Sequence, residues 1–283
     1  SLARIDLLAF ADRTVSMAAV FQDLVPQQFR LIAGNGFVGT IGGAGSLFGA
    51  DGVQDISLVA ATGAITLDPS FNLGGDIIRL PESASAWTIQ RSGSAALLFN
   101  GALAASIPVG TQGLTLVFAD GARTLAYTGT SFAIGAQSFA ETPVEITTLG
   151  NGAPAISANA GVAARLILAE NGSAKIGGNV SIIGTASGKE GLTSLGGTFS
   201  FDPSFNAGGD SITLPGKINS YAAKASGSSM QLSAGSSSYL VPVGTTGATL
   251  VFDDAFRTLL YADGQFKIGG QIIAGTGPTT LFG

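Results

Sequence analysis

Across 283 residues the chain contains no cysteine and no histidine. The first absence excludes disulfide staples, thiolate catalysis and sulfur-ligated metals. The second removes the usual general base near neutral pH and the commonest transition-metal ligand. Any ion held here would be a hard, oxygen-bound cation, and calcium is the candidate. Charge is also scarce, with 13 basic against 18 acidic residues and a net charge of -5. So few positive charges cannot line a phosphate backbone, and a nucleic-acid partner is not expected. No apolar run approaches the roughly 20 residues of a membrane-crossing helix, so no membrane span is expected either. The opening SLARIDLLAFADR is too acidic, and its apolar part too short, for a secretion signal. The chain therefore reads as a processed or trimmed piece, or as one exported by a route encoded elsewhere.

Glycine, by contrast, is abundant, at 42 residues. It lacks the period of three that collagen needs and falls between short apolar runs, as turn residues do. The most informative feature is a duplication. DPSFNLGGDIIRLP begins at residue 68, and DPSFNAGGDSITLP begins at residue 202, 134 residues later, with eleven of fourteen positions identical. At the same offset IPVGTQGLTLVFADGARTLAY (107–127) matches VPVGTTGATLVFDDAFRTLLY (241–261) at 14 of 21 positions. The likeness frays upstream of about residue 60. Looser echoes fill the middle, where LILAENGSAKIGGNVSIIG (166–184) is similar to LLYADGQFKIGGQIIAG (259–275). Four segments follow: an N-terminal part at 1–61, a first β repeat at 62–149, a glycine-rich β spacer at 150–195 and a second β repeat at 196–283.

Runs such as TLVF, RTLAY, SITL, AALLF and TLLYA have strand length and strand composition. Asn-Gly and Asp-Gly dipeptides separate them and suit tight turns, because these residues tolerate positive φ. Only residues 10–30 depart from this, with Asp12 as a candidate helix cap and Pro26 as an interruption. The expectation is an all-β fold, a repeat-built β-solenoid or β-roll-like rod with a short N-terminal helix. Tandem β-sandwich domains are the alternative.

Candidate chemistry concentrates in the duplicated motif. Asp68, Asn72 and Asp76, with Asp202, Asn206 and Asp210, supply side-chain oxygens beside glycines that allow a tight backbone. Either these residues cap turns through backbone amides, or they ligate calcium. Asp120 and Asp254 occupy a second equivalent pair of positions, each followed three residues on by an arginine, Arg123 and Arg257. A turn braced by an Asp–Arg pair is the plainer reading of these. Paired carboxylates also admit glycoside hydrolysis, but a catalytic pair is normally built once, not with every repeat. Trp87 and its counterpart Tyr221 are single aromatics beside strands, as core residues are. The chain is therefore expected not to be an enzyme.

The stretch GGDSITLPGKINSYAAKASGSSMQLSAGSSSYLVPVGTTGATLVFDD (208–254) resembles repeat modules of bacterial surface-layer-like and RTX-associated calcium-binding secreted proteins. Asp210, Leu214, Tyr221 and Phe252-Asp253-Asp254 carry the resemblance, as do Asp76, Leu80, Trp87 and Phe118-Ala119-Asp120-Gly121 in the first copy. The second copy departs at Ala255, where glycine is usual, and tandem Gly-Gly-x-Gly-x-Asp repeats are missing. The resemblance implies a β-rich protein in an extracellular or cell-surface location, with calcium as the implied ion. The composition suits a phage or virus fibre equally well. The preferred reading is a structural subunit of a bacterial surface layer or filament. It would assemble with copies of itself, head-to-tail or laterally, with calcium as stabiliser. The alternative is an adhesion module recognising a cell-surface glycan. A polysaccharide-processing β-solenoid enzyme is a remote third.

Overall fold

A computed structural model describes residues 7–9, 14–16, 26–60, 63–73, 75–156, 163–207 and 209–283. Among them the fold is all-β, with four single-turn 3-10 helices at Pro69–Asn72, Ala84–Ala86, Pro203–Asn206 and Ile218–Ser220. Most of the segment 10–30, where helical turns are expected, lies outside the described residues. Thr14–Ser16 is a strand paired antiparallel with Leu7–Ala9, and Phe29–Ala33 is another strand. The cap expected at Asp12 lies outside the described residues.

Two compact units are present, one made chiefly of residues 42–159 and the other chiefly of 160–283. In the first, Gly63–Leu67 runs parallel to Gly45–Phe48 on one side and to Leu103–Pro108 on the other. A second parallel column places Ile77–Arg79 between Asp55–Leu58 and Leu114–Phe118. Antiparallel hairpins then extend both columns, through Thr88–Ser92 and Ala95–Phe99, and through Gly121–Tyr127 and Phe132–Ile134. Leu103–Pro108, Leu114–Phe118 and Ala95–Phe99 are buried almost continuously, not at every second residue, because both of their faces are covered.

In the second unit Gly191–Phe201 is central. It pairs parallel with Ser173–Ile183 on one side and with Ser211–Thr213 and Ser237–Pro242 on the other. Ala248–Val251 continues the second column from Ser211–Thr213. Hairpins at Ala222–Ser226/Ser229–Ala234 and Phe256–Ala262/Gln265–Ile268 complete it. From the Asp68 motif onward each strand and 3-10 turn of one unit has its counterpart 134 residues away in the other. Trp87 meets Phe118 edge-on at 6.3 Å, and Tyr221 meets Phe252 in the same way at 5.1 Å. Both aromatics are fully buried, as a core role requires. The Trp87 indole N–H donates to the Pro81 carbonyl (2.9 Å), and the Tyr221 hydroxyl donates to the matching Pro215 carbonyl (2.7 Å).

A glycine pair shows how closely the backbones approach. A Cβ on Gly63 would sit 2.3 Å from the Gly43 carbonyl oxygen, and one on Gly197 would sit 2.1 Å from that of Gly178. Only glycine permits the strand contact at this repeat position.

The pairings order the strands from Phe29–Ala33 to Thr279–Thr280 into a closed barrel of 26 strands. This corrects the expected solenoid or β-roll-like rod, and the tandem-sandwich alternative with it. Strand length and turn chemistry were legible in the sequence, but the choice of paired edges was not. A ladder that closes on itself also overturns the filament or surface-layer subunit, which needs stacked repeats whose ends stay open to propagate.

Candidate functional site

The duplicated motif builds the same turn twice. Asp68 lies at the N-cap of its 3-10 turn, where its carboxylate accepts the Ser70 N–H at 3.0 Å, and Asp202 accepts the Ser204 N–H at 2.9 Å. The backbone N–H groups of these aspartates donate to the Leu47 and Ile182 carbonyls, both at 2.8 Å, which ties each turn to the adjacent parallel strand. Asn72 turns inward and donates its amide to the Pro108 carbonyl at 2.6 Å. The Asn206 side chain lies outside the described residues.

Asp76 and Asp210 go elsewhere. Both are fully buried. Asp76 Oδ1 accepts the Gln54 backbone N–H (2.7 Å), and Asp210 Oδ1 accepts the Glu190 backbone N–H (2.8 Å). In each unit, therefore, the aspartate fastens the start of the neighbouring parallel strand, at Asp55 or Gly191. The second oxygens differ. Asp76 Oδ2 and Gln54 Oε1 receive no donor among the described residues, and neither do Asp210 Oδ2 and Glu190 Oε2. Burial pushes Asp76 up to about 6, against the pull of the Gln54 N–H. Burial, reinforced by the adjacent Glu190 carboxylate, pushes Asp210 up to about 7. Burial also acts to raise Glu190, but the Thr185 hydroxyl, which donates to it at 2.6 Å, and the neighbouring Asp210 side chain outweigh burial and hold Glu190 below the usual range. Gln54 and Glu190 were not singled out from the sequence. Two additional residues between Gln54 and Asp68 hide the correspondence, so a constant offset misaligns it.

Asp120 and Asp254 both brace a 3-10 turn, accepting the Ala84 N–H and the Ile218 N–H at 2.9 Å each. Asp120 also takes two bonds from Arg123, at 3.1 and 2.7 Å, and these hold its carboxyl below the ordinary range. In the second unit the expected Asp–Arg brace is not made, since Arg257 donates to the Phe256 carbonyl instead.

The eight proposed calcium ligands do not converge. Among the described residues no three acidic side chains lie close enough together to hold a metal ion. Calcium is therefore corrected, with a plain physical reason: Asp68, Asp202, Asp120 and Asp254 spend their oxygens on turn amides. Asp76 and Asp210 are sealed in separate units. A cleft of about 760 Å³ beside Gly135–Gln137 and Thr147–Leu149 has no ionisable lining, nor does a smaller one at Pro203 and Pro242–Thr246.

The two units also differ at one sheet edge. In the first, Ala122 and Asn151 form an isolated antiparallel bridge, with each N–H donating to the other's carbonyl at 2.8 Å. Arg123 reinforces it by donating to the Thr148 carbonyl at 3.0 and 2.8 Å. In the second unit Phe256 stands where Ala122 stands, and Phe282 where Thr148 stands. These rings are 73% and 64% exposed.

No protein-family model matches the chain, and no curated protein matches it. With no such match, with a strand order that closes, and with no cluster of acidic residues for a metal ion among the described residues, the likeness to surface-layer and RTX-associated modules is overturned.

Proposed function

We propose that this chain is a non-catalytic docking module of an exported or surface-associated protein. It receives an extended segment of a partner polypeptide along the Phe256 edge of the second unit. The observation that carries this reading is the pair of exposed rings, Phe256 and Phe282. The first unit supplies its own extended segment, Gly150–Asn151, to seal the edge at Ala122. The second presents the same edge with two exposed phenylalanines in place of an alanine and a threonine. Exposed aromatics at a sheet edge are what strand addition uses, with main-chain hydrogen bonds for affinity and the rings for selectivity; an incoming segment would take over the Phe256 carbonyl from the Arg257 side chain that now donates to it. The occupant is an extended, glycine-flanked segment chemically similar to TTLGNGAP (147–154). A non-catalytic role is supported by the burial of both acidity-shifted aspartates.

A labelled TTLGNGAP peptide, titrated with the chain and followed by fluorescence anisotropy, tests the proposal. Saturable binding that weakens at least tenfold in Phe256→Asp is expected. No binding, or binding that ignores the substitution, would refute it.

A further inference from the structure

The Glu190–Asp210 pair sits where the first unit has Gln54–Asp76, and it is sealed by the segment 184–190. A side-chain carbon on Gly188 would approach Glu190 Oε1 to 2.1 Å, and one on Gly184 would lie 3.2 Å from both Glu190 Oε2 and the Phe205 ring. Water-excluding glycines and an aromatic ring thus enclose the pair. Thr185 links the segment to it by donating its hydroxyl to Glu190 Oε1 and accepting the Gly188 N–H at 3.1 Å. Among the described residues, the groups facing the pair are the Thr185 hydroxyl and the backbone amides, with no other charged side chain acting on it. Lys189 is exposed, and its backbone N–H donates to Asn171.

The two carboxyl groups are neighbours, and two neighbouring buried carboxylates cannot both stay ionised while Asp210 Oδ2 and Glu190 Oε2 each lack a donor. One proton placed between Asp210 Oδ2 and Glu190 Oε2 satisfies both atoms. We infer that Glu190 and Asp210 form a shared-proton latch that pins segment 184–190 over the Gly191–Phe201 strand in acid and releases it towards neutral and alkaline pH. The first unit has no such device. There Gln54 replaces Glu190, so Asp76 meets no second carboxylate, and the Gln54 amide donates to the Ala50 and Gly52 carbonyls at 3.1 and 3.2 Å. The latch thus rests on the Gln-to-Glu difference between copies, independently of the Phe256 edge.

Linkage determines the direction. The Asp210 proton is held up to about pH 7 when the segment is closed and only to the ordinary carboxylate value when it is open. Opening therefore releases a proton between those limits, and the opening equilibrium rises about tenfold per pH unit there before levelling.

The test is hydrogen exchange of the intact chain between pH 4.5 and 8.5, with protection corrected for intrinsic rates. Amides of 184–190 should lose protection steadily up to neutrality in the wild type. They should keep it in Asp210→Asn, which donates without titrating, whereas in Glu190→Gln, which recreates the first unit's pair, the loss should level about one pH unit lower. Unchanged protection in the wild type, or the same loss in both variants, would overturn the latch. Should either variant not fold, a carbon-13 carboxyl titration of the wild type decides. An Asp210 midpoint near neutrality supports the latch, and an ordinary one removes it.

Discussion

The two units have one turn plan and two chemistries. The first keeps its buried charge in a two-pronged ion pair, in which Arg79 donates from Nε and Nη2 to the two oxygens of Asp55 at 2.7 Å each, with a further bond to the Pro154 carbonyl. The second has Thr213 and Gly191 at those positions, and its buried charge is the Glu190–Asp210 pair. The first covers its sheet on both faces and bridges its edge. In the second, Ser229–Ala234 buries only Met230 and Leu232, and Phe256–Ala262 buries only Leu259. A duplicated fold thus preserves backbone turns strictly while the groups that respond to solvent diverge, because turns are set by φ and sealed side chains by whatever neighbour covers them.

The strongest challenge to this equivalence is the matched aromatic pair. Trp87→Ala and Tyr221→Ala should each cost about 3–5 kcal/mol, since both empty a fully buried site. Trp87 is the only tryptophan, so its fluorescence during urea unfolding reports the first unit, while exchange of Ala222–Ser226 amides reports the second. A loss much smaller at Tyr221 would break the comparison. Next comes Asp55→Ala, which strands the mostly buried Arg79 and should cost roughly 3 kcal/mol in the first unit alone. Equal loss in both units would contradict that assignment.

The pH response sharpens the contrast. Asp76 and Asp210 both have folded values above their unfolded ones, so their stabilisation is fully present below the ordinary carboxylate range. It declines as pH rises, by up to about 1.4 kcal/mol per pH unit for each group. The decline should level near pH 6 in the first unit and near pH 7 in the second, as urea midpoints across pH 4–9 would record. Smaller and equal effects are expected from Asp68→Ala and Asp202→Ala, each about 1 kcal/mol through the lost cap. Phe256→Asp should change stability by no more than about 0.5 kcal/mol, because the ring is exposed. A large destabilisation there would mean the ring is structural and would undercut the docking edge.

Much of the local structure could be read in advance. The Asp68 and Asp202 turns, the core placement of Trp87 and Tyr221, and the Asp120–Arg123 brace all follow from short-range chemistry that residue spacing records. What the spacing did not record was long-range. Gly63–Leu67 pairs with strands on both sides of it in sequence, and nothing in its own residues names Leu103–Pro108 as the second partner. The apparent calcium ligands failed for the same reason, since proximity in sequence did not bring their oxygens to one point. Glu190 was missed because two extra residues upstream of Asp68 shift the register of the likeness.

By itself, then, the sequence determined that this protein is all-β, duplicated, free of thiol and imidazole chemistry, and punctuated by turns capped by aspartate. These depend on composition and on contacts within a few residues. Only the tertiary structure decided that the strand order closes, that Asp210 faces Glu190 while Asp76 faces Gln54, and that one edge is bridged while its twin presents Phe256. Those outcomes depend on which distant backbone fills each hydrogen-bonding edge, and the free energy of that choice belongs to the assembled core and not to any one segment.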